Sequence, residues 1–303
     1  MADKRVCFDF EVEFSNGGGI QGQGFRLDID GDHIDDDALA AYIIGDLRLL
    51  MVGAVRILNK RIIEERHKRS TEPTQVGSPA AEARLIDLSH TIEAGLITYK
   101  GLPAPLICDH LSRERSREVY AAGTEFQIDR IEMVGNTGTY LDTPFHRYAD
   151  GDDLAGLKLG RVADRPGVVV RVEGLTGRSI DWTHFAAIDV AGNAVLVHTG
   201  WDRHWKTDRY FEGHPYLTEK AAIHLRDRGA ALVGIDSLNI DDTAGGMRPV
   251  HSVLLAAGVP IIEHMTRLGD LPLSGFRFSA TPPKIVNMGT FPVRAHARLQ
   301  SDR

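Results

Sequence analysis

The stretch Asn136-Thr137-Gly138-Thr139-Tyr140-Leu141-Asp142-Thr143-Pro144-Phe145-His146 holds the densest group of polar side chains in the chain. Pro144 argues against a continuous helix here, because proline lacks an amide hydrogen and clashes with the preceding turn. A strand that ends in a turn explains Gly138 and Pro144 and projects polar groups from the strand end. Asp142 can ligate a metal or orient a base, and His146 can transfer protons near neutral pH. On these residues alone, a catalytic role and a purely structural role are equally open.

Short apolar segments around this stretch predict the buried strands of an α/β unit. They lie at residues 167–172, 194–197 and 231–236. Thr218 is suited to cap a helix that runs through Leu225, and Gly258 to end a second helix over residues 253–257. The chain then returns as a strand that ends at Glu263.

A second pair of candidate ligands lies downstream. We expect His251 near the start of a helix and Glu263 at the end of the strand that follows. The helix and the chain reversal between them allow the two side chains to meet in space. Imidazole with carboxylate is a common partial ligand set for zinc or manganese. Without other information, the simpler interpretation is that both side chains are solvated at the ends of their elements.

Taken together, the two groups resemble the cyclase family, which includes bacterial kynurenine formamidase and isatin hydrolase. The family hallmark is His-x-Gly-Thr-His-x-Asp-x-Pro-x-His, and residues 136–146 match its spacing. Further matching segments, in the family's order, lie at residues 86–89, 199–201, 233–237 and 251–263. The resemblance covers about residues 84 to 295.

The resemblance implies an α/β fold, with a cyclase-like core of mixed sheet and flanking helices. It also implies a metal-dependent amidohydrolase that opens an N-formyl or cyclic amide. His146 falls on the position of a proton-transfer histidine. The implied metal ligands are Asp142, His251 and Glu263. Asp142 is also implied as a catalytic residue.

Asn136 and Tyr140 depart from the family pattern, because both stand where the family has histidine ligands. An amide oxygen is a weaker zinc ligand than imidazole, and a tyrosine hydroxyl, with an ordinary pKa of about 10, is neutral near pH 7. The site therefore either holds zinc or manganese through three ligands, or holds no metal. In the second case Tyr140 donates a hydrogen bond to a carbonyl or oxyanion, and His146 is the general base. In either case, Asn136 is predicted to bind the substrate.

The loop at residues 198–205 is another candidate for substrate contact. Trp201 follows a buried strand, where an indole ring can line a pocket and stack on a planar substrate. Aromatic packing with surface histidines is the equally open structural interpretation. Asp236 ends a strand and can orient a group of the site, while Asp241 and Asp242 do not match an EF-hand.

We predict a hydrolase of a small amide, a cyclic amide or a lactone, in which activated water attacks the carbonyl. Two alternatives remain open at this point. One is a metal-independent lyase or cyclase that uses Tyr140 and His146 as an acid and base pair. The other is a degenerate, non-catalytic member that binds a small ligand.

The chain has 303 residues, and its segments differ in composition. Residues 1–70 predict an N-terminal extension with a β-hairpin and a helix. Residues 71–83 are rich in Pro, Ser, Thr and Gly, which indicates a linker. Residues 84–303 form the predicted catalytic core.

The net charge of −7 gives no broad positive field for nucleic acid or anionic lipid. Two cysteines suit a reducing compartment, and no apolar run reaches the roughly 18 residues of a membrane span. We expect a cytoplasmic protein with a small-molecule substrate and neither nucleic acid nor membrane as partner. We also expect a homodimer or homotetramer, since the resemblance implies such assemblies and the N-terminal hairpin offers a strand edge.

Overall fold

The computed structural model describes residues 3–65, apart from residues 18, 30, 32, 48 and 50, and residues 84–299. The chain divides into two compact units, residues 1–78 and residues 79–303. The predicted linker at residues 71–83 lies outside the described residues. No described helix has both the length and the apolar character that a membrane crossing requires.

The N-terminal unit is a three-stranded antiparallel sheet with one helix. Its elements are β1 (Asp3–Phe14), β2 (Gly19–Asp28), α1 (Asp36–Asp46) and β3 (Val52–Glu65). β1 lies between β2 and β3, and the Asp35 carboxylate caps α1 by accepting a hydrogen bond from the Ala38 amide at 2.7 Å. The core of this unit consists of Val6, Phe8, Phe10, Val12, Leu39 and Ile43. β1 and β2 form an antiparallel hairpin.

The C-terminal unit is built on a nine-stranded mixed sheet. In chain order, the first strands of this unit are β4 (Leu85–Asp87), β5 (Leu106–Leu111), β6 (Ile128–Glu132), β7 (Tyr140–Asp142), β8 (Arg165–Arg171), β9 (Ser179–Ile180) and β10 (Ala194–His198). The remaining strands are β11 (Tyr216–Leu217), β12 (Leu232–Ile235), β13 (Ile261–Glu263), β14 (Phe276–Ser279), β15 (Thr290–Pro292) and β16 (His296–Leu299). The helices are α2 (Arg113–Ser116), α3 (Leu159–Val162), α4 (Glu219–Asp227) and α5 (Pro249–Ala256).

The order of the sheet is β15-β7-β13-β12-β10-β8-β14-β16-β4, and separate ribbons pair β5 with β6 and β9 with β11. β13, β12, β10 and β8 are parallel, and the flanking strands are antiparallel. Every residue of β10, β12 and β13 is buried. A strand buried on both faces needs apolar residues at successive positions, which explains why these segments lack alternation. The predicted α/β fold with a mixed sheet and flanking helices is confirmed.

Helices α4 and α5 cover one face of the sheet and position part of the site. The Thr218 hydroxyl caps α4 by accepting a hydrogen bond from the Ala221 amide at 3.1 Å, as predicted. The second helix begins earlier than predicted, at Pro249 rather than at Val253. The Asp241 carboxylate accepts hydrogen bonds from the amides of Val250 and His251, and this side-chain contact stabilises the additional first turn.

Candidate active site

Two cross-strand pairs assemble the centre of the site. β7 is antiparallel to both of its neighbours, so that Tyr140 lies opposite Glu263 of β13, and Asp142 lies opposite Thr290 of β15. Side chains two residues apart on a strand share a face, which puts Tyr140 and Asp142 on the same side of the sheet. The turn that precedes β7 contains Gly138, whose φ of +64° favours glycine.

His251 reaches this face from the first turn of α5. Its Nδ1 lies 2.6 Å from the Asp241 carboxylate, which also accepts the His251 backbone amide. Burial alone would lower the pKa of His251, but Asp142, Asp241 and Glu263 outweigh it and raise the pKa to about 10. In the neutral ring, Nδ1–H donates to Asp241 and the lone pair of Nε2 faces the other two carboxylates.

Glu263 accepts hydrogen bonds on both carboxylate oxygens. The Tyr140 hydroxyl donates to Oε2 at 2.6 Å, Asn239 donates to the same oxygen at 3.3 Å, and the Ile240 amide donates to Oε1 at 2.6 Å. Burial raises the pKa of Glu263 to about 7, although His251 opposes the shift. Burial also raises the pKa of Tyr140 well above its ordinary value, which keeps its hydroxyl a neutral donor.

The Asp142 carboxylate is buried, and among the described residues only one of its two oxygens has a hydrogen-bond partner. The Thr290 hydroxyl contacts Oδ1, and the same hydroxyl lies 2.7 Å from Nδ1 of His146. Within the described residues, Asp142 Oδ2 has no hydrogen-bond partner. A buried oxygen left without a partner costs about 1–3 kcal/mol, so this atom is expected to meet a cation or another donor.

The donor set around Asp142 fits a divalent cation. His251 Nε2 lies 3.7 Å from Asp142 Oδ2 and 3.7 Å from Glu263 Oε1, a spacing that one ion between them can bridge. Asp142, His146 and His251 also form a group of possible ligands, whose donor atoms lie within 4.8 Å of one another. Three groups able to accept hydrogen bonds and facing one another in a buried site need a cation or a proton between them.

The site opens into a cleft of about 850 Å³. Five of the residues singled out in the sequence line it: Asn136, Tyr140, His146, His251 and Glu263. Asp142 lies just beneath them and is fully buried. The cleft is also lined by the cationic side chains of Lys100, Arg147 and Arg248. The structure therefore brings the two separate sequence groups together.

Trp201 does not line this cleft. It is only 6% exposed, packs against Tyr210 and Leu238, and donates a hydrogen bond from its indole nitrogen to the Tyr210 carbonyl at 3.0 Å. The ring is enclosed by these side chains, and its contact with a substrate stays a prediction. Asp236 holds the same loop, since it accepts hydrogen bonds from the amides of Thr199 and Gly200.

Sequence reasoning missed three residues of the site, which are Asp241, Asn239 and Thr290. Asp241 carried a weak signal, because it stands in an acidic stretch eight positions before the start of α5. Thr290 carried no signal, since 148 residues separate it from Asp142 and only the pairing of β15 with β7 joins them.

Comparisons with known proteins agree with this architecture. The family model named Cyclase matches residues 86–242. A kynurenine formamidase of Geobacillus thermodenitrificans (strain NG80-2) is 29% identical, and the match covers 70% of this chain and 96% of that relative.

Solved structures are similar as well. A structure described as a predicted metal-dependent hydrolase from Bacillus stearothermophilus is 27% identical, with a TM-score of 0.56 and coverage of 72% of this chain and 98% of that chain. Isatin hydrolase A from Labrenzia aggregata, bound to benzyl benzoate, has a TM-score of 0.62 at 20% identity, covering 72% and 94% of the two chains. At that identity the second likeness supports the fold alone.

Proposed function

This chain belongs to the Cyclase family, and from that premise we propose that it hydrolyses a small amide, a cyclic amide or a lactone. The observation that carries the proposal is the convergence of Asp142, His146 and His251 beside one cleft. A carboxylate, an imidazole held by a second carboxylate, and a further imidazole open to the cleft are the groups that carbonyl hydrolysis by water requires.

We propose that Asp142, His251 and Glu263 hold a zinc or manganese ion. Support comes from the unpartnered oxygen of Asp142 and from the 3.7 Å distances that join His251 Nε2 to both carboxylates. Asp241 fixes the His251 tautomer that leaves Nε2 free to bind. When bound, such an ion supplies Lewis acidity to the carbonyl group under attack.

The chain's own residues have distinct roles in this proposal. His146, which is 35% exposed at the cleft, takes a proton from the attacking water and later returns it to the leaving nitrogen or oxygen. Tyr140 and Asn239 hold the Glu263 carboxylate in place. Asn136 lies on the cleft wall, where its amide can contact the substrate.

The metal-independent lyase is less well supported by the geometry of Tyr140. Its hydroxyl already donates to Glu263 at 2.6 Å, and burial raises its pKa well above the ordinary value. An acid that protonates a substrate in the cleft must be free to donate there.

The test begins with protein purified without chelator, with metal content measured on the same sample. Hydrolysis is then assayed on an N-formyl aryl amine, a cyclic amide and a lactone, before and after removal of metal. We expect turnover of at least one substrate, loss on chelation, and recovery with zinc or manganese. His146→Gln should lower kcat by about 10²-fold or more, whereas His204→Gln, outside the cleft, serves as the matched control. Absence of turnover on all three classes would contradict the proposal.

We also propose that the protein works in the cytoplasm as a homodimer or homotetramer. The β5–β6 ribbon supports assembly, because every residue of β6 is exposed and Leu106, Ile107, Ile128 and Ile131 all lie at its surface. A two-stranded ribbon is marginally stable alone, and a second copy would cover these side chains. Light scattering checks this, and a monomer at all micromolar concentrations would contradict it.

A further inference from the structure

Thr290 lies between two groups of the proposed site and contacts both. Its side chain is nearly fully buried, and its hydroxyl touches Asp142 Oδ1 while it lies 2.7 Å from His146 Nδ1. The register of β15 against β7 pairs Thr290 with Asp142 directly. The position of the hydroxyl is therefore set by backbone pairing rather than by a mobile side chain.

The residue before it shows how closely this segment is fitted to His146. A Cβ atom on Gly289 would lie 2.4 Å from the His146 amide nitrogen and 2.6 Å from its Cα, a separation that side chains do not tolerate. The Gly289 carbonyl accepts hydrogen bonds from the Thr143 amide at 2.8 Å and from the Thr143 hydroxyl at 3.0 Å. β15 is thus held against the turn that carries His146.

The hydrogen-bond donors and acceptors along this contact indicate which ring nitrogen of His146 carries a hydrogen. An ionised carboxylate only accepts hydrogen bonds, so the single hydrogen of the Thr290 hydroxyl is directed to Asp142. The lone pair of the hydroxyl oxygen then faces His146 Nδ1 at 2.7 Å. Two acceptors cannot approach this closely without a hydrogen between them, so Nδ1 carries the hydrogen.

We infer that Thr290 is a positioning residue that holds His146 in the tautomer with its hydrogen on Nδ1, which leaves the lone pair of Nε2 for the cleft. This inference rests on the proposed function, in which that lone pair takes the proton of the attacking water. The same arrangement keeps Nδ1 from serving as a metal ligand.

The tautomer can be read directly from nitrogen chemical shifts in protein labelled with [15N]histidine. His146→Gln identifies the His146 signals by their loss. We expect wild type and Thr290→Ser to show a protonated Nδ1 and an unprotonated Nε2, and Thr290→Val to lose this pattern. A wild-type protein with the hydrogen on Nε2, or a Thr290→Val protein with unchanged shifts, would overturn the inference.

Kinetics give a second readout on the same three proteins. Thr290→Val should lower kcat about tenfold and leave KM within about twofold, because orientation of the base acts on the chemical step. Thr290→Ser, which keeps the hydroxyl, should stay within about threefold of wild type. A Thr290→Val enzyme with wild-type kcat, or a Thr290→Ser enzyme as slow as Thr290→Val, would contradict the role. The nitrogen shifts need no substrate, so failure of the proposed function and failure of this inference are distinguishable.

Discussion

Asp142 and Asp236 are both fully buried, and the contrast between them separates a reactive site from a structural one. Asp236 accepts three hydrogen bonds, from the amide and hydroxyl of Thr199 at 2.8 and 2.6 Å and from the Gly200 amide at 2.9 Å. Among the described residues, Asp142 accepts a hydrogen bond from one hydroxyl, and its Oδ2 has no hydrogen-bond partner and lies 3.7 Å from His251 Nε2. A buried carboxylate whose oxygens are all occupied stabilises a loop, whereas one with a free oxygen has capacity for a cation.

The largest effect that tests this contrast is expected from Asp142→Ala. It removes a proposed metal ligand and should lower kcat/KM by about 10³-fold or more. Thr290 loses its acceptor and His251 loses one of the carboxylates that raise its pKa, while repulsion between Asp142 and Glu263 is relieved. These effects oppose one another, so the free energy of unfolding should change by about 2 kcal/mol or less. Hydrolysis assays and urea unfolding measure the two quantities. If the variant stayed active, Asp142 would not be a functional residue of the site.

A second test asks whether Asp142 belongs to a metal site that has fewer ligands than the family pattern. Asn136→His with Tyr140→His restores two imidazoles and should tighten zinc or manganese binding by about 10- to 100-fold. Titration calorimetry on metal-free protein measures the change, with Asn136→Gln plus Tyr140→Phe as the matched control. If neither wild type nor the histidine variant binds metal, the ligands do not act together.

Asp236→Ala should have the opposite balance of effects from Asp142→Ala, with a larger loss of stability and a smaller loss of activity. It leaves the buried donors of Thr199 and Gly200 without an acceptor, which should cost about 2–4 kcal/mol of unfolding free energy. The folded fraction should keep kcat/KM within about fivefold of wild type, because Asp236 does not line the cleft. Equal loss of activity in the two alanine variants would mean that the contrast between the carboxylates is not functional.

The smallest expected effect concerns pH. Burial raises the pKa of Asp236 to about 7 in the folded protein, against the hydrogen bonds that lower it. Its stabilising contribution is therefore complete below its ordinary pKa of about 4 and is lost as the pH rises through about 7. The free energy of unfolding of wild type, relative to Asp236→Asn, should therefore fall as the pH rises through about 7. Denaturant titrations at several pH values check this, with exposed Glu212→Gln as control.

The sequence predicted the fold because its signals were local. Buried strands such as β10 and β12 were predicted from short apolar runs, and Thr218 marked a helix start through a contact within three residues. The ligand candidates His251 and Glu263 could be placed because each lies at the end of such an element. The structure brings both side chains beside Asp142, and their roles remain predictions.

What the sequence could not predict depends on contacts between distant strands. Thr290 reaches Asp142 only because β15 pairs with β7 at the edge of the sheet. Asp241 reaches His251 because it approaches the start of α5 from outside the helix. The direction in which the Trp201 ring faces was not predictable, because an aromatic ring after a strand has the same sequence signal whether it packs inward or faces a cleft.

The late position of β15 has a consequence for synthesis of the protein. Thr290 lies 148 residues after Asp142, so at about 5–20 residues per second the ribosome needs roughly 7–30 s to supply it. Until then β7 has no β15 partner, and the turn with His146 has no Gly289 segment against it. Until Thr290 has been synthesised, the nascent chain therefore carries an incomplete site, and the contacts of Thr290 with Asp142 and His146 form only after that interval.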